Sequence, residues 1–354
     1  MVGAHSFRYT AIFKLPVNCN GGPLRVLKEW TITCSKKVDM PHKPAFKSIL
    51  FPVDFSKMSE LTALQVHGLA QFTGAEITLL HVVPWLSAWY GTTEIHPTLL
   101  GDQILRNLEA EQAVRLEKFR EQYFGDLACR TSVVSGAVAE SITDAVKDCH
   151  ADLIMMPTRG LGHSRRFLIG STTAKVLHDA SCTVWTSPHL HKLKLFTGFR
   201  HLLCTIDRNE VLPDFLEEAV RLASCFGSKL SFVTAFPNGA GGKVDERRVR
   251  RLDKEYPQAG LNAELCSKLD CMVYLETGGV GEVVRRLVEE QNVDLVVTNR
   301  GHLRHPFGKL RTHAYEIILE SPCPVLSLCI SAELKHDEHV THSGSREYAR
   351  AERT

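Results

Sequence analysis

Short apolar runs alternate with longer amphipathic stretches over most of the chain. The first run, residues 48–53, ends at Asp54, and residues 59–72 follow with apolar positions at helical spacing and Ser59 as the expected cap. Further strands are predicted at 76–82, 129–134, 152–156 and 182–186, and further helices at 102–123, 138–149 and 172–178. Strands that alternate with helices predict a parallel sheet covered by helices on both faces.

The same order of elements recurs after a linker near residues 187–198. Residues 200–207 resemble 47–54, 293–298 resemble 151–156, and 323–328 resemble 182–187. A repeat of this length indicates tandem domains. We predict an α/β fold with two Rossmann-like domains, residues 46–189 and 200–330, each an open five-stranded parallel sheet with helices on both faces. Pseudo-twofold packing should bring the last strands of the two domains close together.

The two ends of the chain do not follow this pattern. Residues 1–45 have no sustained periodicity, so we expect a poorly ordered extension, although Met40 is also a candidate translation start. Residues 331–354 are polar and charged and lack an apolar stripe. This composition predicts a disordered tail.

A loop rich in glycine and hydroxyl groups lies between the predicted strand at 152–156 and the helix at 172–178. It contains Gly160, Gly170, Ser171 and Thr172. Glycine lets a backbone approach an anion, and a helix N-terminus offers N–H groups and the positive end of its dipole. Ser171 and Thr172 could cap the helix or contact a phosphate oxygen, and the sequence alone leaves both readings open.

The spacing of this loop resembles that of the universal stress protein family. Nucleotide-binding members of that family carry Gly-x2-Gly-x9-Gly-Ser/Thr between the fourth strand and the last helix. Gly160, Gly170 and Ser171 match the second glycine, the third glycine and the hydroxyl, whereas Pro157 stands at the first glycine. The resemblance covers about residues 46–330 and implies domains of the adenine nucleotide α-hydrolase-like type.

By this resemblance, the first domain would bind ATP, with or without Mg²⁺. The residues that would contact the nucleoside are Pro52, Val53 and Asp54, with Val82 beside adenine, and those facing ribose and phosphates are Gly160, Gly170, Ser171 and Thr172. From its position alone, Asp54 could accept hydrogen bonds from a ribose or an amine. It could equally cap its own loop.

The second domain departs further from the pattern. It keeps Asp207 and Gly301, but Thr298 stands at the first glycine and Arg311 where Gly170 would be matched. An arginine side chain blocks close backbone approach, so we expect a degenerate loop. Pro157 and this loop favour an alternative function, that of a structural or protein-interaction member of the family that binds no nucleotide.

Composition limits the other functions. The formal charge of +2 gives no argument for nucleic acid, and no apolar run approaches the ~20 residues that span a bilayer. Eleven cysteines without a Cys-x-x-Cys motif indicate free thiols in a reducing compartment, so we expect a cytoplasmic protein. The sequence lacks a recognisable catalytic motif or metal-binding cluster, which predicts at most weak ATP hydrolysis. A protein partner and a homodimer beyond the intramolecular pseudo-dimer stay open.

Overall fold

The computed structural model describes residues 7–11, 30–34, 45–85, 99–159, 169–188, 196, 198–206, 213–236, 271–300 and 312–330. The strands are β1 (Phe7–Ala11), β2 (Trp30–Cys34), β3 (Ser48–Pro52), β4 (Glu76–Pro84), β5 (Cys129–Gly136), β6 (Leu153–Pro157), β7 (Thr183–Ser187), β8 (His201–Thr205), β9 (Lys229–Phe236), β10 (Cys271–Thr277), β11 (Leu295–Asn299) and β12 (Val325–Leu328). The helices are α1 (Lys57–Thr73), α2 (Leu99–Phe124), α3 (Val138–Asp148), α4 (Ser171–Asp179), α5 (Pro213–Phe226), α6 (Val280–Gln291) and α7 (Thr312–Glu320).

Both halves contribute to one sheet. Among the described residues its strand order is β10-β9-β8-β11-β12-β7-β6-β3-β4-β5, and all pairs are parallel except β12 with β7. Five strands come from each half, and the edge strands of the two halves join them into one ten-stranded sheet. The two last strands, which we expected to be close, pair directly, and each thereby covers what would otherwise be an exposed strand edge.

Helices cover both faces of this sheet, and each face has its own apolar core. Alternate strand residues point to opposite faces, so Ile49 and Phe51 join the core under α1, α2 and α5, while Leu50 joins the core under α3, α4, α6 and α7. Each core contains residues of both halves. The α/β architecture with helices on both faces is therefore confirmed.

Matching hydrogen bonds make the internal repeat visible at the amino edge of the sheet. The Asp152 carboxylate accepts from the backbone N–H groups of Lys47 and Ser48 at 2.8 and 3.2 Å. The Asp294 carboxylate accepts from the N–H groups of Arg200 and His201 at the same two distances. Both aspartates thus fix the start of the first strand of their half.

The start of α1 differs from the prediction. Its N-cap is Ser56, whose hydroxyl accepts a hydrogen bond from the Ser59 N–H at 3.2 Å. The Ser59 hydroxyl instead donates to Asp54 Oδ1 at 2.6 Å. The helix therefore begins before Ser59, because the serine nearest the strand takes the capping role.

Aromatic side chains fill the junction of the halves on the α1/α5 side. The Phe72 ring of the first half lies 5.6 Å from the Phe226 ring of the second, and Phe199 lies 4.8 Å from Phe226. Phe196 packs so closely on α1 that a Cβ added at Gly68 would lie 2.6 Å from the Phe196 Cβ. Gly68 is therefore required for this close approach.

Three further predictions concern the ends of the chain and membranes. Within the expected N-terminal extension, β1 and β2 pair as a two-stranded antiparallel ribbon, which the pattern does not predict. The predicted tail at 331–354 lies outside the described residues. In the part of the chain that the structure describes, the helices are too short or too polar to cross a membrane.

Candidate functional site

A cavity of about 850 Å³ opens at the carboxyl edge of the sheet in the first half. The ends of β3, β4 and β6 and the first turn of α4 surround it. In the sheet β4 lies on one side of β3 and β6 on the other, so the strand order reverses there. Ligands of open α/β sheets bind at this kind of switch point, and the volume suits a small molecule.

The turn after β3 forms one wall of the cavity. Asp54 Oδ1 accepts hydrogen bonds from the Ser56 N–H at 3.0 Å and from the Ser59 hydroxyl. Phe55 has a φ of +56°, a left-handed conformation that a side chain such as phenylalanine rarely adopts. Asp54 thus caps its own loop through one oxygen, and it also lines the cavity.

His81 fastens this turn to the neighbouring strand. The Val53 carbonyl accepts a hydrogen bond from His81 Nδ1 at 2.7 Å, so Nδ1 carries a proton. Burial lowers the pKa of His81, which keeps the imidazole neutral near neutral pH. The Phe55 ring centroid lies 4.7 Å from that of the imidazole at a tilt of 39°, and the Arg115 guanidinium lies 4.1 Å from the Phe55 ring centroid.

The deeper wall of the cavity is apolar. It is formed by side chains of β4, α3 and β6 and by the residue that precedes the α4 cap, namely Val82, Val138, Ile142, Met156 and Ile169. Val82 is buried, with 7% of its surface exposed. An apolar wall of this kind suits an aromatic ring.

The N-terminus of α4 also borders the cavity. Its N-cap is Gly170, not Ser171 or Thr172, and no side chain caps the helix. The Thr173 hydroxyl donates to the Pro157 carbonyl at 3.1 Å and so ties the helix to β6. The N–H groups of a first helical turn have no partner within the helix, and Gly170, Ser171 and Thr172 all line the cavity.

Gly170 has a negative φ of −58° and does not need to be glycine for its backbone conformation. An added Cβ would lie 3.5 Å from the Thr158 carbonyl oxygen and 3.7 Å from the Thr173 hydroxyl, which are ordinary contacts. The surrounding described residues therefore tolerate a methyl group. A larger side chain would extend into the cavity.

The structure brings seven of the eight predicted site residues into the lining of one cavity: Pro52, Val53, Asp54, Val82, Gly170, Ser171 and Thr172. The eighth, Gly160, lies outside the described residues. Sequence reasoning missed Phe55, Ser59, His81, Leu108, Gln112 and Arg115. The spacing of Leu108, Gln112 and Arg115 by four and three residues marks one helical face and is the signal that could have found them.

The charged groups in the lining are mixed. Arg115 and Arg159 are positive and Asp54 is negative. The described residues contain no group of three histidine, cysteine or acidic side chains placed to hold a metal ion. The site is therefore arranged for a ligand with an apolar part and an anionic part.

The corresponding strand of the second half has a register that corrects one prediction. The Thr158 N–H donates to the Ser187 carbonyl, and the Arg300 N–H donates to the Leu328 carbonyl, each at 3.0 Å. Arg300 therefore matches Thr158, and Asn299, not Thr298, stands at the position of Pro157. Asp207, Gly301 and Arg311 lie outside the described residues.

The Arg300 side chain reaches across the junction to the C-terminal end of α4. Its guanidinium donates to the carbonyls of Leu177, Ala180 and Cys182 at 3.0, 2.6 and 2.7 Å. Carbonyls at a helix C-terminus lack intrahelical partners and carry partial negative charge. The second half thus holds the helix whose other end lines the cavity.

Fold and cavity together define a tandem α/β protein with a cavity of small-molecule size at a switch point of its first half. The model of the universal stress protein family matches residues 45–188 and 198–328, and the chain belongs to that family. A universal stress protein of Synechocystis is 32% identical over 143 residues, 40% of this chain and 86% of the relative. One of Thermus aquaticus is 30% identical over 142 residues, 39% of this chain and 96% of the relative.

Solved structures support the fold of the whole tandem. A universal stress protein from Archaeoglobus fulgidus aligns with a TM-score of 0.57 at 20% identity, over 81% of this chain and 97% of that one. A protein of unknown function from Pseudomonas aeruginosa aligns with a TM-score of 0.54 at 16% identity, over 81% and 93%. At these identities the likeness concerns the fold alone.

Proposed function

We propose that the first half binds an adenine nucleotide, ATP in the first instance, in the cavity at the carboxyl edge of the sheet. One observation carries this proposal: an apolar wall, the Asp54 carboxylate and the N-terminus of α4 border a single cavity of about 850 Å³. These three features suit a base, a ribose and phosphates respectively. The loop spacing shared with nucleotide-binding family members supports the same ligand.

Each part of the nucleotide has a matching part of the chain. The base would lie against Val82 and the apolar wall, and Asp54 would accept from a ribose hydroxyl or the base amine through the oxygen that does not cap the loop. The phosphates would meet the N–H groups of Ser171 and Thr172. Mg²⁺ would arrive with the phosphates of ATP.

Binding without efficient chemistry would serve stress signalling by shifting an equilibrium. A ligand changes a conformational or assembly equilibrium only if it binds the two states differently. The cavity is bordered by α4, and Arg300 of the second half holds the far end of that helix. A nucleotide bound in the first half would in this way affect the packing at the junction through α4.

Calorimetric titration of the full chain with ATP and Mg²⁺ tests the proposal. We expect binding that Gly170→Arg weakens at least about tenfold, equivalent to ~1.4 kcal/mol. The matched control is Gly279→Arg, because Gly279 is also a helix N-cap with negative φ and open space around it, but in the second half. Equal binding by Gly170→Arg and the parent would refute the proposed site.

Pro157 favours a second candidate function, a protein-interaction role without nucleotide. Proline lacks an N–H, and Pro157 lines the cavity where the family motif has a glycine. Absence of ATP binding by the folded parent would support this candidate. Retention of binding would leave Pro157 as a tolerated departure.

A further inference from the structure

The junction between the halves places two cysteines opposite each other. In the antiparallel pair of β7 and β12, Thr186 faces Val325, Trp185 faces Leu326 and Val184 faces Ser327. Cys182 immediately precedes β7 and Cys329 immediately follows β12, and the same register continued for two more residues would bring them opposite each other. Opposite residues of antiparallel strands have Cα atoms ~4.5–5.5 Å apart, within the ~4.4–6.8 Å range of disulfides.

Both side chains belong to the same face of the sheet. Cys182 lies in the core under α3, α4, α6 and α7. Leu328 and Ile330 belong to the opposite core, so strand alternation puts Cys329 on the Cys182 side. Cys182 is buried and Cys329 is partly exposed, and both are free thiols.

Arg300 holds the two segments together at this point. Its backbone N–H donates to the Leu328 carbonyl at 3.0 Å, and its guanidinium donates to the Cys182 carbonyl at 2.7 Å. Burial raises the pKa of the Cys182 thiol to about 12, with Arg300 opposing that rise and the charge of Cys329 adding to it.

We propose that Cys182 and Cys329 form a reversible disulfide that links the two halves when the protein meets hydrogen peroxide. The Cys329 sulfur attacks one peroxide oxygen and breaks the O–O bond, which yields a sulfenic acid and one water. The Cys182 sulfur then attacks the sulfenic sulfur, and the hydroxyl leaves with the Cys182 proton as a second water. Two thiols lose two electrons in total, and one peroxide is reduced to two waters.

The internal repeat supplies a matched control. Cys323 occupies in the second half the position of Cys182 in the first, and it is also a buried free thiol in the same core. The register places Pro188 opposite Cys323. The symmetry-related position therefore has only one cysteine and should form no junction disulfide.

The test is peroxide treatment of the reduced full chain, followed by alkylation of remaining thiols and peptide mass spectrometry under non-reducing conditions. We expect a cross-linked pair of peptides containing Cys182 and Cys329, lost in Cys329→Ser and retained in Cys323→Ala. A thiol reductant should regenerate both free thiols. Oxidation should also raise the melting midpoint of the parent by at least about 3 °C, because the link closes a long loop.

Two results would overturn the inference. One is independent alkylation of Cys182 and Cys329 after a peroxide dose that oxidises other thiols of the folded protein. The other is a Cys182–Cys329 link that appears only after denaturation. Cys329→Ser changes a partly exposed side chain, so its fold can be verified by an unchanged melting midpoint of the reduced protein.

Discussion

The two halves of the molecule are alike at the amino ends of their strands and different at the carboxyl ends. Asp152 and Asp294 bind the starts of β3 and β8 with the same pair of hydrogen bonds. At the other edge, Thr158 occupies the position of Arg300. The Thr158 carbonyl accepts from Gly170 beside the cavity, whereas the Arg300 side chain binds the end of α4 in the other half.

This difference separates the features that the fold requires in both halves from those that are particular to one half. The amino edge fixes strand starts, a requirement that both halves share. The carboxyl edge is where ligands bind in such sheets, so it can diverge without loss of the fold. In this protein the second half uses its carboxyl edge to support a helix of the first.

The largest effect is expected where the halves meet. Trp185 and Leu326 occupy matching positions, face each other across the β7–β12 pair, and are 1% and 0% exposed. Trp185→Ala should cost about 3–5 kcal/mol of unfolding free energy and Leu326→Ala about 2–5 kcal/mol. Urea denaturation followed by circular dichroism measures both. Two separate unfolding transitions, only one of them shifted by the substitution, would contradict a core shared by the two halves.

Trp185→Ala should lower the free energy of unfolding more than Leu326→Ala for a second reason. Its indole N–H donates to the Ser187 hydroxyl at 3.2 Å, and that hydroxyl donates to Gln65 Oε1 at 2.6 Å. Removal of the indole leaves the buried Ser187 hydroxyl without this donor. Trp185→Phe should recover part of the loss, because it restores volume without the N–H.

Much of the fold could be predicted because apolar runs mark the buried strands. The strand at 48–52 ends one residue before its predicted end, and the strand at 153–157 begins and ends one residue later than predicted. The start of α1 could not be placed, because Ser56 and Ser59 are both good caps and only the contact of Ser59 with Asp54 decides between them. The joining of the halves through their last strands could be predicted, because the repeat leaves the last strand of each half as an edge strand.

The candidate site was predictable only where local sequence forms it. Asp54 and Gly170 stand at strand and helix ends that the pattern reveals. Gln112 and Arg115 reach the cavity from a helix far along the chain, so only the fold brings them there. The role of Arg300 depends on a contact with the other half, for which its neighbours in sequence give no signal.

The second effect sharpens the difference between Thr158 and Arg300. Arg300→Ala leaves the carbonyls of Leu177, Ala180 and Cys182 without the guanidinium, and we expect a loss of about 1.5–3 kcal/mol. Arg300→Lys should lose nearly as much, because an ammonium lacks the planar fork. Thermal and urea unfolding provide the measurement. Full stability of Arg300→Lys would show that charge alone suffices.

A third, smaller effect tests the likeness of the amino edges. Asp152→Ala and Asp294→Ala should each cost about 1–2 kcal/mol, because each leaves two strand-start N–H groups without their acceptor. The two costs should agree within about 0.5 kcal/mol, and ATP affinity should be unchanged in both. A loss of unfolding free energy in only one of the two variants would mean that the matching hydrogen bonds do not stabilise the two halves equally.

The smallest effect concerns pH. Burial lowers the pKa values of His81 and His201 in the folded protein below the ordinary 6.5. The unfolded chain therefore takes up protons first, and stability should fall as the pH drops through about 6.5. Urea midpoints from pH 7.5 to 5 should show this slope, and His81→Asn and His201→Asn should each reduce it. An unchanged slope in both variants would contradict burial as the cause.

We propose that ATP binds in the first half and not in the second, and photolabelling with an azido analogue of ATP is the most direct test. We expect label that excess ATP competes away on first-half peptides that line the cavity, such as those containing Val82 or Gln112. We also expect Gly170→Arg to lose this label and Gly279→Arg to retain it. Competable label on second-half peptides would refute a site confined to the first half.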